Sequence, residues 1–144
     1  MLIRAGLVLL ALASPALAQP QVISTPNSPA AIGPCSQALR VGNTLYLAGQ
    51  IALDPATNQM IADRSIEAET RRVLDNLKAV VEAAGFRMSD IVSTTVFMAD
   101  LNEFARMNAV YATYFPTNPP ARATVQAARL PRDAKVEIVG IAAR

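Results

Sequence analysis

Asn118-Pro119-Pro120-Ala121-Arg122-Ala123-Thr124-Val125-Gln126-Ala127-Ala128-Arg129-Leu130-Pro131-Arg132-Asp133-Ala134-Lys135-Val136-Glu137-Ile138 is the stretch on which the reading of this chain turns. Its two leading prolines lack the N–H a β-ladder needs and hold the chain extended just ahead of Arg122. Arg122 therefore begins a strand-like run from a stiff approach. A guanidinium is always charged and forks two parallel hydrogen bonds onto a carboxylate or phosphate, so an arginine aimed this way suits a small anionic ligand. Val136-Glu137-Ile138 sets a carboxylate inside an apolar, β-forming run. Each residue also has a plain reading, the arginine as a solvated strand end and the glutamate as part of a wet face.

By the two-residue period of a strand, Arg122, Thr124 and Gln126 share one face, and Lys135, Glu137 and Val139 share another. Were the two strands a simple hairpin across Arg129–Asp133, Glu137 would stand four residues, on the order of 13 Å, from Arg122 along the ladder. Both could not then grip one small ligand. Either the strands are not neighbours, or another subunit completes a shared site.

Upstream, Asp100-Leu-Asn-Glu103 has the pattern of a capping box and opens a helix whose apolar set is Leu101, Phe104, Met107, Tyr111, Tyr114 and Phe115. Asn108 falls on that same face, where a buried amide needs hydrogen-bond partners or lines a pocket. Ile91–Met98 is β-branched and apolar at both alternate sets, which predicts a central strand buried on both sides. Ser65–Ala84 predicts the longest helix, with Ile66, Thr70, Val73, Leu74, Leu77, Val80, Val81 and Ala84 on one face and its charges, Glu69 among them, solvated. Gly85 suits its C-terminal cap. Leu39–Val41 and Thr44–Leu47 flank Gly42-Asn43 as a hairpin. Gly49, inside the following strand, signals a bulge or the close approach of another group. The order strand, hairpin, helix, strand, helix, strand, strand predicts an α+β domain, with two helices on one face of a mixed sheet and a partly apolar face left uncovered.

The 144 residues suffice for one domain, and a formal charge of +2 without a basic cluster gives no footprint for nucleic acid. There is no histidine and one cysteine, which excludes histidine-based triads and leaves no thiol and imidazole set for zinc. Met1–Ala18 reads as a secretory signal peptide: Arg4 precedes an apolar run, Ser14-Pro15 breaks it, and Ala16-x-Ala18 offers cleavage before Gln19. The run is too short to anchor in a bilayer, so the expected mature protein is periplasmic or secreted and has no membrane anchor after cleavage. Residues 19–29, rich in Pro, Ser, Thr and Asn, form an expected flexible leader with at most a short edge strand, and 30–144 the domain.

Ala-Ile-Gly-Pro-x-Ser-Gln-Ala, Ala-Gly-Gln-Ile, Ala-Val-Val-Glu-Ala-Ala-Gly, Thr-Thr-Val-Phe, Pro-Pro-Ala-Arg-x-Thr-Val and Ala-Arg-Leu-Pro-x-Asp-Ala-x-Val-Glu-Ile together resemble the RidA (YjgF) family of imine and enamine deaminases, from about Pro29 to Ala142. The resemblance implies a chorismate-mutase-like α+β fold and a homotrimer with pockets in clefts between subunits. It also implies hydrolysis of reactive 2-imino acids or their enamine tautomers to 2-oxo acids and ammonia, without metal or cofactor. The family's carboxylate-binding arginine maps onto Arg122 and its pocket glutamate, which positions water, onto Glu137. Gly49, Asn108, Thr124 and Pro131 map onto other pocket-lining positions.

Two positions depart from the family. Cys35 follows Gly-Pro where relatives commonly carry tyrosine, and Ala48 stands before Gly49-Gln50 where they commonly carry serine. Cys35 is read as a small pocket-lining residue, with a thiol nucleophile as the alternative. Three functions stay open at this point: an imine deaminase, a non-catalytic trimeric binder of small carboxylates, and a holdase-like or partner-binding trimer.

Overall fold

A computed structural model describes residues 18–144. The expected signal peptide lies outside the described residues except for Ala18. Strands β1 (Gln21–Ile23), β2 (Ala38–Val41), β3 (Thr44–Gln50), β4 (Ile91–Met98), β5 (Ala121–Gln126) and β6 (Val136–Ala143) form one mixed sheet, and helices α1 (Ile66–Ala83) and α2 (Phe104–Tyr114) cover one of its faces. The strand order is β1-β2-β3-β6-β4-β5. The α+β class, the mixed sheet and the two helices on one face are as the sequence predicts.

Local chemistry sets these limits. Gly42 takes the left-handed φ of +59° that the tight turn between β2 and β3 demands. Ser65 caps α1 by accepting from the N–H of Ala68. At its other end Gly85 (φ +77°) donates to the Glu82 carbonyl and Phe86 to that of Val81, the paired bonds of a glycine-terminated helix. Asp100 caps a single turn, Leu101–Glu103, that leads into α2.

Between sheet and helices lies the core: Leu45, Leu47, Val96, Met98, Val136 and Ile138 from the strands meet Val73, Leu77, Val80, Met107 and Tyr111. The longest-helix expectation needs one correction. Glu69 is fully buried, not solvated, because Arg64 pairs with its Oε1 and the Lys135 N–H donates to its Oε2 at 2.8 Å.

The β4 expectation needs another. Ile91, Thr94, Val96 and Met98 are buried beneath the helices, but Ser93, Thr95 and Phe97 are only half-buried and Val92 is exposed. On that far face Phe97 packs against Ile51, Leu53, Leu130 and Ala134. Cross-strand register continues it as Leu39, Tyr46, Ile141 and Ser93 in one row, and Glu137, Phe97 and Val125 in another. Tyr46 is 49% and Val125 44% exposed, so the far face presents apolar surface to its surroundings.

Candidate active site in two halves

β5 and β6 are not neighbours; β4 runs between them, antiparallel to β6 and parallel to β5. Arg122 sits beside Thr94, whereas Glu137 sits beside Phe97. Three residues along the sheet and two strand spacings across it separate their Cα atoms by roughly 14 Å. Thr94 faces the helices and Phe97 the far side, so the two side chains leave the sheet in opposite directions. The structure thus gives each its own cleft.

Glu137 borders a cleft of about 360 Å³ on the far face. Its floor comes from β3, whose pairing with β6 shifts register between Leu47 and Gln50 and frees Ala48 and Gly49 from the ladder. Gly49 fulfils both of its sequence-level expectations. A Cβ there would overlap Glu137 Oε1 and stand 3.1 Å from its Cδ, so the missing side chain is the space in which the carboxylate lies.

One wall of the cleft is the segment 29–37, which carries Cys35. Gln37, nearly fully buried, stitches it in place: its amide donates to the carbonyls of Thr25, Ser28 and Pro29, and its Oε1 accepts from the Thr25 N–H at 2.7 Å. Cys35 is exposed, its thiol directed at the Ile32 carbonyl at 3.6 Å. The other wall is Pro131–Arg132, in a turn where Arg132 and Asp133 both adopt left-handed φ values of +55° and +53°. Partners over-determine that turn. Arg64 donates to the Asp133 carbonyl at 2.7 Å, Arg129 pairs with the Asp133 carboxylate, and Arg132 donates to the Asn58 carbonyl. Burial pushes the Glu137 carboxyl above its ordinary value, with no offsetting charge among the described residues.

Arg122 borders a second cleft, about 380 Å³, between α2 and the start of β5, together with Asn108, Tyr111, Phe115 and the two prolines 119 and 120. Its guanidinium lies 4.6 Å from the Tyr111 ring centre and 5.6 Å from that of Phe104. The Tyr111 hydroxyl is tied to Thr94 Oγ1 at 2.7 Å, which fixes the ring on which the arginine rests. Among the described residues no carboxylate lies within ion-pair distance of Arg122. Its charge is therefore left without a carboxylate counter-charge among the described residues, as an anion site requires.

Of the residues singled out from sequence, Glu137, Gly49, Cys35 and Pro131 meet in the first cleft, and Arg122 and Asn108 in the second. Thr124 lines neither. It is half-buried on the helix side of β5, and its Oγ1 has no partner among the described residues. Sequence reasoning passed over Tyr111, counted only as core, and the stitching role of Gln37. A hydroxyl on an apolar helix stripe three residues from Asn108 was the available signal for the first. Among the described residues no group of three His, Cys, Asp or Glu side chains gathers as a metal site. Chemically, one half offers a rigid cation for a carboxylate and the other a partly desolvated base beside a small hollow.

The endoribonuclease L-PSP family model matches residues 25–144. The chain is 49% identical over 127 residues to the 2-iminobutanoate/2-iminopropanoate deaminase of Escherichia coli K12, covering 86% of this chain and 98% of that protein. It superposes on the crystal structure of the E. coli YjgF gene product with a TM-score of 0.81 at 49% identity, covering 86% and 98% of the two chains. E. coli TdcF, solved with bound serine, matches with a TM-score of 0.82 at 42% identity and the same coverage.

Proposed function

Because this chain belongs to the endoribonuclease L-PSP family, the RidA family of the sequence resemblance, we propose that it hydrolyses reactive 2-imino acids and their enamine tautomers to 2-oxo acids and ammonia. The relatives named as 2-iminobutanoate/2-iminopropanoate deaminases support this at 49% identity over nearly their whole length. The observation that carries it in this molecule is a division of labour: an arginine without a carboxylate partner among the described residues in one cleft, and a carboxylate without a cationic partner among them in the other.

The halves are joined by a second copy. Set against the far face of one protomer, the β5 side of another brings its Arg122 cleft to the Glu137 cleft, and the apolar row through Leu39, Tyr46 and Ile141 gains a cover. Three such contacts close a homotrimer with three shared sites. Arg122 forks onto the substrate carboxylate, with Asn108 beside it, and Gly49, Cys35 and Pro131 bound the reacting end.

The iminium carbon is already electrophilic. Glu137 takes a proton from water as the oxygen bonds to that carbon, giving a tetrahedral carbinolamine. The proton then passes to nitrogen, the C–N bond breaks, and Glu137 takes the hydroxyl proton as the C=O forms; that proton leaves on ammonia as ammonium. Atoms balance with water alone.

Export is also proposed, on the composition of Met1–Ala18. The function is tested by generating imines in situ with an amino-acid oxidase in the presence of semicarbazide. The protein is expected to suppress semicarbazone formation, and unchanged semicarbazone yield would refute the activity.

A further inference from the structure

Helix α1 buries three polar side chains, Glu69, Thr70 and Asn76, and the first and last of them are tied to segments beside the Glu137 cleft. Glu69 is fully enclosed, a costly place for a carboxylate unless its partners compensate. Both partners serve one segment. Glu69 Oε2 takes the Lys135 N–H at 2.8 Å, and Oε1 holds Arg64, whose Nη2 reaches the Asp133 carbonyl at 2.7 Å. One carboxylate thus grips both ends of Asp133–Lys135, two residues ahead of Glu137. Asn76, seven residues further along the same helix face, is equally buried. Its Nδ2 donates to the Leu53 carbonyl at 2.9 Å and faces that of Ile51 at 3.4 Å, just past Gly49-Gln50. The helix therefore holds both sides of the gap in which the Glu137 carboxylate lies against Gly49.

We propose that Glu69 is a positioning residue for Glu137, fixing through Lys135 and the Arg64–Asp133 link where that carboxylate stands relative to Gly49. This rests on the deaminase reading above. The role differs from fold support, since Glu69 bonds to no core strand except at the point where β6 begins.

Glu69→Gln keeps size but must turn an NH2 toward one of the two donors. The folded trimer is expected to lose kcat about tenfold or more, with KM changed far less, because Arg122 still anchors substrate. A double-mutant cycle with Gly49→Ala separates positioning from general weakening. Once a Cβ at 49 has displaced the Glu137 carboxylate, adding Glu69→Gln should cost little more, whereas independent structural damage would multiply. Carboxyl ¹³C NMR follows the Glu137 titration without turnover; in Glu69→Gln it should move toward the ordinary glutamate value as water enters. Should Glu69→Gln not fold, Arg64→Gln, at a partly exposed side chain, is expected to lower kcat about threefold at constant KM. Wild-type kcat in either folded variant, multiplicative penalties, or an unmoved Glu137 titration would overturn the proposal. A wild-type chain inert toward imines would instead defeat the functional reading, with the NMR titration still deciding the role of Glu69.

Discussion

Arg122 and Glu137 lie three residue steps apart along the sheet and point to its opposite faces, because β4 separates their strands and the pleat alternates. No rotamer change brings the two together within one chain. A site using both must draw one from each of two copies.

Mixed assembly tests this directly. Arg122→Ala and Glu137→Gln trimers should each be inactive. Dissociated, mixed in equal amounts and reassembled, they should regain about a quarter of wild-type turnover, since a site works only when its arginine and its glutamate come from different intact donors. Turnover no higher than the sum of the parents would place the site within one protomer.

Arg122→Ala should remove turnover while the trimer survives in size-exclusion light scattering. A charge-assisted fork to a carboxylate contributes roughly 1.5–3 kcal/mol and also orients the substrate. Arg122→Lys should restore only part, because an ammonium cannot make two parallel bonds. Full activity of Arg122→Ala on 2-iminobutanoate would remove the anchoring role.

The pH responses of rate and stability should run in opposite directions. Burial raises the Glu137 carboxyl above the ordinary glutamate value. A base must be ionised, so kcat/KM should fall in acid, with its inflection above that of a free glutamate. A raised folded-state value means that the folded protein binds this proton more tightly than the unfolded chain. The resulting stability is fully present below the unfolded value, about 4.3, and is lost as pH rises through the folded one. Glu137→Gln should therefore abolish turnover yet raise Tm at neutral pH, with the gain vanishing in acid. Melting curves from about pH 4 to about pH 8 check it; a lower Tm for the variant at neutral pH would contradict it.

Cys35→Tyr should favour small imino acids over bulky ones, by filling the cleft and adding a hydroxyl, whereas Cys35→Ser should be nearly silent. Competition between imines derived from alanine and leucine reads the first. An inactive but folded Cys35→Ser trimer would make the thiol a nucleophile.

Cleavage is expected between Ala18 and Gln19. Mass spectrometry of protein from an extracytoplasmic fraction should find Gln19 at the N-terminus, and full-length chain confined to the cytosol would exclude export.

What the sequence disclosed follows from how local each signal is. Period and capping residues marked α1, the hairpin and the start of α2, because those forces act within a turn or two. Gly49 advertised a close neighbour without naming it; only the register between β3 and β6 identifies Glu137. The dilemma over Arg122 and Glu137 was visible, but its resolution needed strand order, a non-local property. Glu69 was misread for the same reason: its compensating partners, Arg64 and the Lys135 N–H, reach it through the fold, so periodicity sees only a charge. The far face of β4 escaped because β-branched residues on alternate positions look alike whether or not a helix covers them.

β6, last of the described strands in the chain, is inserted between β3 and β4. The sheet thus consists of two pieces, β1-β2-β3 and β4-β5, that have no shared ladder until residues 136–143 slide between them. During synthesis neither piece can close on the other before residues 136–143 have left the ribosome. That same closure delivers Glu137 to the hollow at Gly49. A product lacking β6 would lose Glu137 and the join between the two pieces of its sheet at one stroke.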